Sequence, residues 1–146
     1  MSNDTNQNPN VKQAVPFFWV LNMEKSLIFY MDGLGFELKN KWEPNGKIVW
    51  CSLQLGKASI MLQEYSQTPK VKLGEGVSVY FMCEDALTIY NQIMERGLMP
   101  LEPVVGNNLW VVEITDPNGY SIHFESPTDV PEDTLYSEWL MANKES

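Results

Sequence analysis

Two stretches decide the reading of this chain: VLNMEKSLIFYMDGLGFEL, residues 20–38, and ITDPNGYSIHFESP, residues 114–127. In the first, Asn22 is a favoured N-cap, and Met23, Leu27, Ile28, Met31 and Leu34 recur at helical spacing until Gly33 and Gly35 break the pattern. In the second, Asp116-Pro117-Asn118-Gly119 is a turn between alternating strands. Proline presets φ at the first corner, and glycine supplies the positive φ that a bulged hairpin needs.

Working outward, the chain says the same thing twice. Residues 14–21 form an apolar strand before the first helix, and strands over 36–42, 47–55 and 58–65 follow, separated by Glu43-Pro44-Asn45-Gly46 and Gly56-Lys57. A polar, Pro- and Gly-containing linker occupies 66–75. The order then repeats: strand 77–83, helix 84–96 with acidic residues at its start, Arg96 near its end and Gly97 as its stop, then strands 98–105, 109–115 and 120–126. The expected fold class is α+β: two tandem βαβββ modules, 14–65 and 76–127, within one domain spanning 14–127. Residues 1–13 are too polar to bury themselves and form a disordered lead rather than a signal peptide. The tail, 128–146, places Leu135, Tyr136, Trp139 and Leu140 on one side of a short helix, a stripe suited to docking on its own domain.

Composition excludes several functions. A net charge of −9 disfavours nucleic acid, whose phosphates need clustered Lys and Arg, and suits a neutral or cationic ligand. No run approaches a membrane span. The two cysteines, Cys51 and Cys83, sit in apolar strands without C-x-x-C spacing, so buried reduced thiols and a cytoplasmic location are expected.

The segment SLIFYMDGLGF and the turn DPNGYSI together resemble the vicinal oxygen chelate superfamily, which holds glyoxalases, extradiol dioxygenases and bleomycin-resistance proteins. The resemblance implies a half-barrel of strands curled around a cleft, commonly in a homodimer. Metal-dependent members carry four ligands at positions corresponding here to Val15, Met61, Ser78 and His123. Valine, a thioether and an unactivated hydroxyl are poor ligands for Zn, Ni, Mn or Fe(II), so neither metal nor other cofactor is expected. A residual site from His123, Glu125, Gln63 and Glu64 would need Glu64 to turn inward against the strand period.

Strand alternation then fills the cleft. With Val15 facing it, so do Phe17 and Trp19; by the same rule Ser59, Met61 and Gln63, Ser78, Tyr80 and Met82, and Ser121, His123 and Glu125 join them. Ile60, Leu62, Val77, Val79, Phe81, Ile122 and Phe124 should back onto the helices. The ligand-binding candidates are therefore Val15, Phe17, Trp19, Met61, Gln63, Ser78, Tyr80, Met82, His123 and Glu125. His123, the sole histidine, and Glu125 are the candidate catalytic pair. Trp50 and Trp110 have no assigned facing. The resulting expectation is a metal-free homodimeric protein, like those of bleomycin and antibiotic resistance, that sequesters an organic ligand, aromatic or cationic. The alternatives are a lyase, isomerase or dioxygenase-like enzyme centred on His123, and an interaction module whose cleft is filled by side chains.

Overall fold

The computed structural model describes residues 10–144. The strands are β1 (Phe17–Val20), β2 (Glu37–Trp42), β3 (Trp50–Leu55), β4 (Ala58–Glu64), β5 (Ser78–Met82), β6 (Val104–Gly106), β7 (Leu109–Thr115) and β8 (Ser121–Pro127). Helix α1 (Met23–Leu27) continues into a wider π-helical segment (Ile28–Gly33); α2 covers Ala86–Glu95 and α3 Tyr136–Asn143. The strands form two open four-stranded mixed sheets, ordered β1-β4-β3-β2 and β5-β8-β7-β6, with β1 parallel to β4 and β5 parallel to β8. The α+β class and the duplicated order read from the sequence both hold. The lead expected over residues 1–13 lies, for 1–9, outside the described residues.

Each helix starts where its side chains dictate. Asn22 accepts a bond from the Lys25 amide (3.0 Å), and Asp85 from the Thr88 amide (3.1 Å), satisfying backbone donors that a first helical turn leaves unpaired. The first helix departs from its expected stripe: Ile28 is exposed, while Phe29 and Tyr30 are buried. On a regular helix Ile28, five positions after the buried Met23, points about 140° away from it, whereas Ser26, Tyr30 and Leu34 recur on the Met23 side. The π-helical widening comes after that position. It adds a residue to the turn, so the Leu34 amide reaches back to the Phe29 carbonyl (2.9 Å), and every later side chain is rotated relative to a regular α-helix.

The strand expected over 98–105 is shorter than its apolar pattern suggests. Pro100 and Pro103 cannot donate to a ladder, and pairing with β7 is confined to Val104–Gly106. Val77, expected against the helices, is exposed because it precedes β5 and lies beside the linker. The tail helix docks on its own domain, with Tyr136 and Trp139 packed on Trp110. Trp110 therefore faces the helices and is buried.

The modules meet through the DPNGY turn. Asp116 accepts bonds from the Asn118 and Tyr120 amides (2.8 and 2.9 Å) and, across the module boundary, from the Tyr30 hydroxyl (2.7 Å). Tyr120 stacks on Phe18 with centroids 4.2 Å apart, and its hydroxyl donates to the Trp19 carbonyl (2.9 Å). Asn118 accepts from the Leu21 amide (3.0 Å) and donates to Ser26 (3.3 Å). Gly74 of the linker, at φ +74°, lies so close to Gly119 that any Cβ would run into its backbone.

Burial pushes the Asp116 carboxyl above its ordinary range, although the bonds from Tyr30 and the turn amides oppose that shift. Tyr30 is pushed upward too, by its own burial first and by Asp116 second. A carboxyl whose folded pKa is raised binds its proton more tightly folded than unfolded. Its contribution to stability is thus fullest below the unfolded value and is lost as pH rises through the folded one. Asp116→Ala should cost about 2–4 kcal/mol by orphaning a buried hydroxyl and two turn amides, whereas Tyr30→Phe should cost about 1–2 kcal/mol. In denaturant titrations the stability of the native protein relative to Asp116→Asn should rise as pH is lowered from 7 toward 4; a difference independent of pH would refute this account of Asp116.

Candidate ligand-binding site

Strand parity divides each sheet into a face buried against helices and a face turned away from them. In the first module Phe18, Val20, Cys51, Leu53, Ile60 and Leu62 are buried. Phe17 and Trp19, alternating with them, remain 44% and 40% exposed. In the second module Ile122 and Phe124 are buried on the helix side, and Tyr80 and Met82 are 55% and 63% exposed on the other. Val15 lies outside the ladder, before β1, because the pairing with β4 starts at Phe17.

Register then sets which side chains are neighbours. Across the first sheet Trp19 pairs with Gln63, Gln63 with Trp50, and Trp50 with Trp42, so one row holds three tryptophans and an amide. Tyr65 packs on Trp19 (centroids 4.6 Å) and Phe17 meets the same indole edge-on (5.6 Å). The adjacent row is Phe17 with Met61, then Ser52. Across the second sheet the rows are Ser78 with Ser121 and Thr115, Tyr80 with His123 and Glu113, and Met82 with Glu125 and Val111. The two modules thus carry different chemistry at equivalent places: aromatic in the first, hydroxyl, imidazole and carboxylate in the second.

No hydrogen bond links His123 to Glu125 among the described residues, so the expected pair is not joined. The parity of β8 puts both on one face, but neighbouring residues along that face are about 7 Å apart, and His123 is engaged elsewhere. Its Nε2 lies 2.9 Å from the Ser121 Oγ, which is 3.4 Å from a Glu113 carboxylate oxygen, and the Tyr80 ring stacks on the imidazole at 4.2 Å. Serine has one proton to give, and a carboxylate can only accept. The Ser121 proton therefore goes to Glu113, and its lone pair accepts from Nε2–H. That tautomer leaves Nδ1 with a lone pair, and Nδ1 is buried without a partner. The opposite tautomer would strand a buried N–H there, at about 1–3 kcal/mol.

Two cavities border β5. One, of about 650 Å³, is lined by Leu21, the linker, Ser78, Asn118 and Ser121; the other, of about 500 Å³, by the β3–β4 turn, Tyr80, Met82, Cys83 and Ile89. Tyr80 and Met82, the row partners of His123 and Glu125, line the second, while His123 and Glu125 themselves line neither. Of the residues read from the sequence, the structure gathers Ser78, Tyr80, Met82, His123 and Glu125 on one sheet and Phe17, Trp19, Met61 and Gln63 on the other. Glu113 and Trp42 were not foreseen. Parity along β7 places Glu113 opposite the buried Val112 and Ile114, which is the signal that could have found it.

The thiols are unsuited to nucleophilic work. Burial pushes Cys51 up to about 11 and also raises Cys83, whose S–H lies 3.3 Å from the Glu125 carbonyl. Metal ligation fares no better. Glu64 turns away from the cleft, its carboxylate accepting from the Met23 amide (2.7 Å) and pairing with Lys47 (2.8 Å). Among the described residues no group of three or more His, Cys, Asp or Glu side chains is placed to hold a metal ion. The donors at Val15, Met61 and Ser78 do not fit one either.

This architecture has known counterparts. The chain belongs to the glyoxalase/bleomycin resistance protein/dioxygenase superfamily, whose model matches residues 12–124. Its fold is similar to that of TioX from Micromonospora sp. ML1, at 16% identity and a TM-score of 0.65, with 80% of this chain and 99% of that one covered. It is likewise similar to TnmS3, an antibiotic binding protein from Streptomyces sp. CB03234, at 20% identity and a TM-score of 0.62, covering 83% of this chain and all (100%) of that one. Comparison with curated proteins by sequence found no match. No helix of the described residues is long and apolar enough to cross a membrane.

If the proton assignment is right, ¹⁵N spectra of the single imidazole near neutral pH will show an Nε2–H tautomer in the native protein. Ser121→Ala should convert it to a mixture; an Nδ1–H signal in the native protein would reverse the assignment.

Proposed function

We propose that this chain is a binding protein that takes up a small organic molecule with a planar aromatic portion and releases it unchanged, using no metal. The row Trp19–Gln63–Trp50–Trp42, flanked by Phe17 and Tyr65, carries the reading. It extends over three strand spacings, about 14 Å, on the face that its own helices do not cover. Flat aromatic rings held by strand register form a preorganised stacking surface, and Gln63 between two indoles offers an amide for a polar edge of the ligand. The antibiotic-binding relative of the same fold is consistent with such a role.

The protein works as a cytoplasmic homodimer in this reading. Phe17, Trp19, Tyr80 and Met82 are large apolar side chains that a solitary domain leaves exposed, and a second copy laid over them would cover them. An enzyme centred on His123 is the weaker alternative, because that imidazole donates to Ser121 instead of being poised as a base beside Glu125.

The test is a titration of purified protein with planar aromatics, neutral and cationic acridine and naphthalene derivatives, read by tryptophan fluorescence and calorimetry. Saturable quenching with the compound recovered intact is expected, and Trp19→Ala should weaken it by about tenfold or more. Turnover of the compound, or binding indifferent to Trp19, would overturn the proposal. Sedimentation should give a dimer at micromolar concentration.

A further inference from the structure

Two polar groups on the second module's face lack partners: His123 Nδ1, which is itself buried, and the carboxylate of Glu125, a residue that is largely covered. Both residues are only 8% exposed. Among the described residues the three salt bridges use Glu37, Glu43 and Glu64, and no side-chain hydrogen bond engages the Glu125 carboxylate. A carboxylate on a largely covered residue is normally met by a cation or several donors, and a buried lone pair normally has a donor. Here neither is supplied by the chain itself. Glu113 lies across from His123 in the ladder, and it too has no lysine or arginine partner; its one hydrogen bond comes from Ser121.

We infer that this face is a subsite for an organic cation bearing N–H donors: an ammonium, amidinium or guanidinium group that donates to Glu125 and to Nδ1 of His123. Register brings Tyr80 beside His123 and Met82 beside Glu125, and both are largely exposed. The Tyr80 ring, stacked on the imidazole, supplies a π face to a cation entering from the cleft. Ser121 and Glu113 act as positioning residues: by holding the proton on Nε2 they keep Nδ1 an acceptor, so the imidazole meets an N–H and not a carbonyl. A metal ion is the less suited occupant, since no three ligating side chains converge here among the described residues. The inference rests on the ligand-binding reading of the cleft and deepens it: the aromatic portion lies on the first module and the charged end on the second.

Benzamidine, with benzamide as its neutral isostere, tests this in the intact protein. The readout is the imidazole signals of the single histidine in ¹H–¹⁵N spectra, and tryptophan quenching is followed in parallel. Benzamidine should shift the His123 signals saturably, and benzamide should not. Glu125→Gln should weaken benzamidine by about tenfold, with Glu113→Gln loosening the Nε2–H tautomer while thermal unfolding confirms that both variants are folded. Equal shifts from the two compounds, no shift from benzamidine, or a response to Zn(II) that benzamidine cannot compete with would each overturn the inference. Quenching of tryptophan without movement of His123 would overturn it while leaving the aromatic shelf standing. A His123 shift without quenching would keep the cation subsite and count against the shelf.

Discussion

The bond from the Tyr30 hydroxyl to Asp116 is the constraint on which the rest of the structure depends. Each module alone is a small mixed sheet with a helix on one face, and no ladder joins the two sheets. What relates them is the side of the domain where the DPNGY turn is set against α1 and β1. Asp116 serves two structures at once, since the same carboxylate closes its own turn and receives the hydroxyl of the other module. A buried carboxylate is costly unless its lone pairs are occupied, so the turn and the module contact must form together. The stacking of Tyr120 on Phe18 and the pairing of Asn118 with Leu21 and Ser26 follow from that placement.

From this anchoring comes the geometry of the cleft. With the helix faces fixed on one side, the alternate residues of both sheets are left on the other. Each sheet has two edge strands, and cavities border one of them, β5. Duplication has produced a symmetric scaffold with asymmetric chemistry. The first module presents indoles in a row, and the second presents an imidazole among hydroxyls and carboxylates. A binding site for a molecule with unlike ends needs that division, and two identical modules could not supply it.

Much of this was legible in the chain, for identifiable reasons. Alternation at Phe17, Phe18, Trp19 and Val20, and again at Ile60, Met61, Leu62 and Gln63, named the buried face because a strand's side chains alternate whatever its neighbours are. Asn22 marked a helix start because capping is local. The failures have equally definite causes. Ile28 was misplaced because, five positions from Met23, it falls on the far side of a regular helix, an offset that its apolar character outweighed. The strand before Val104 was overextended because apolar content outweighed Pro100 and Pro103. The contacts of His123 with Ser121, and of Ser121 with Glu113, went unread because the ladder, not the strand's own pattern, brings Glu113 opposite the imidazole.

The sequence by itself determined the duplicated βαβββ order, the faces of the strands, the burial of Cys51 (Cys83 is only half-buried) and the poverty of metal ligands, because each is set by residue type and by separations of a few positions. Only the tertiary structure decided that Trp19, Trp50 and Trp42 form one row, that Trp110 turns to the tail helix, and that His123 bonds to Ser121 with Nδ1 left open. Those facts depend on inter-strand register and on packing between segments that the chain keeps apart. A shift of one residue in any ladder would reverse every facing along that strand, and no local pattern records which register the completed core selects.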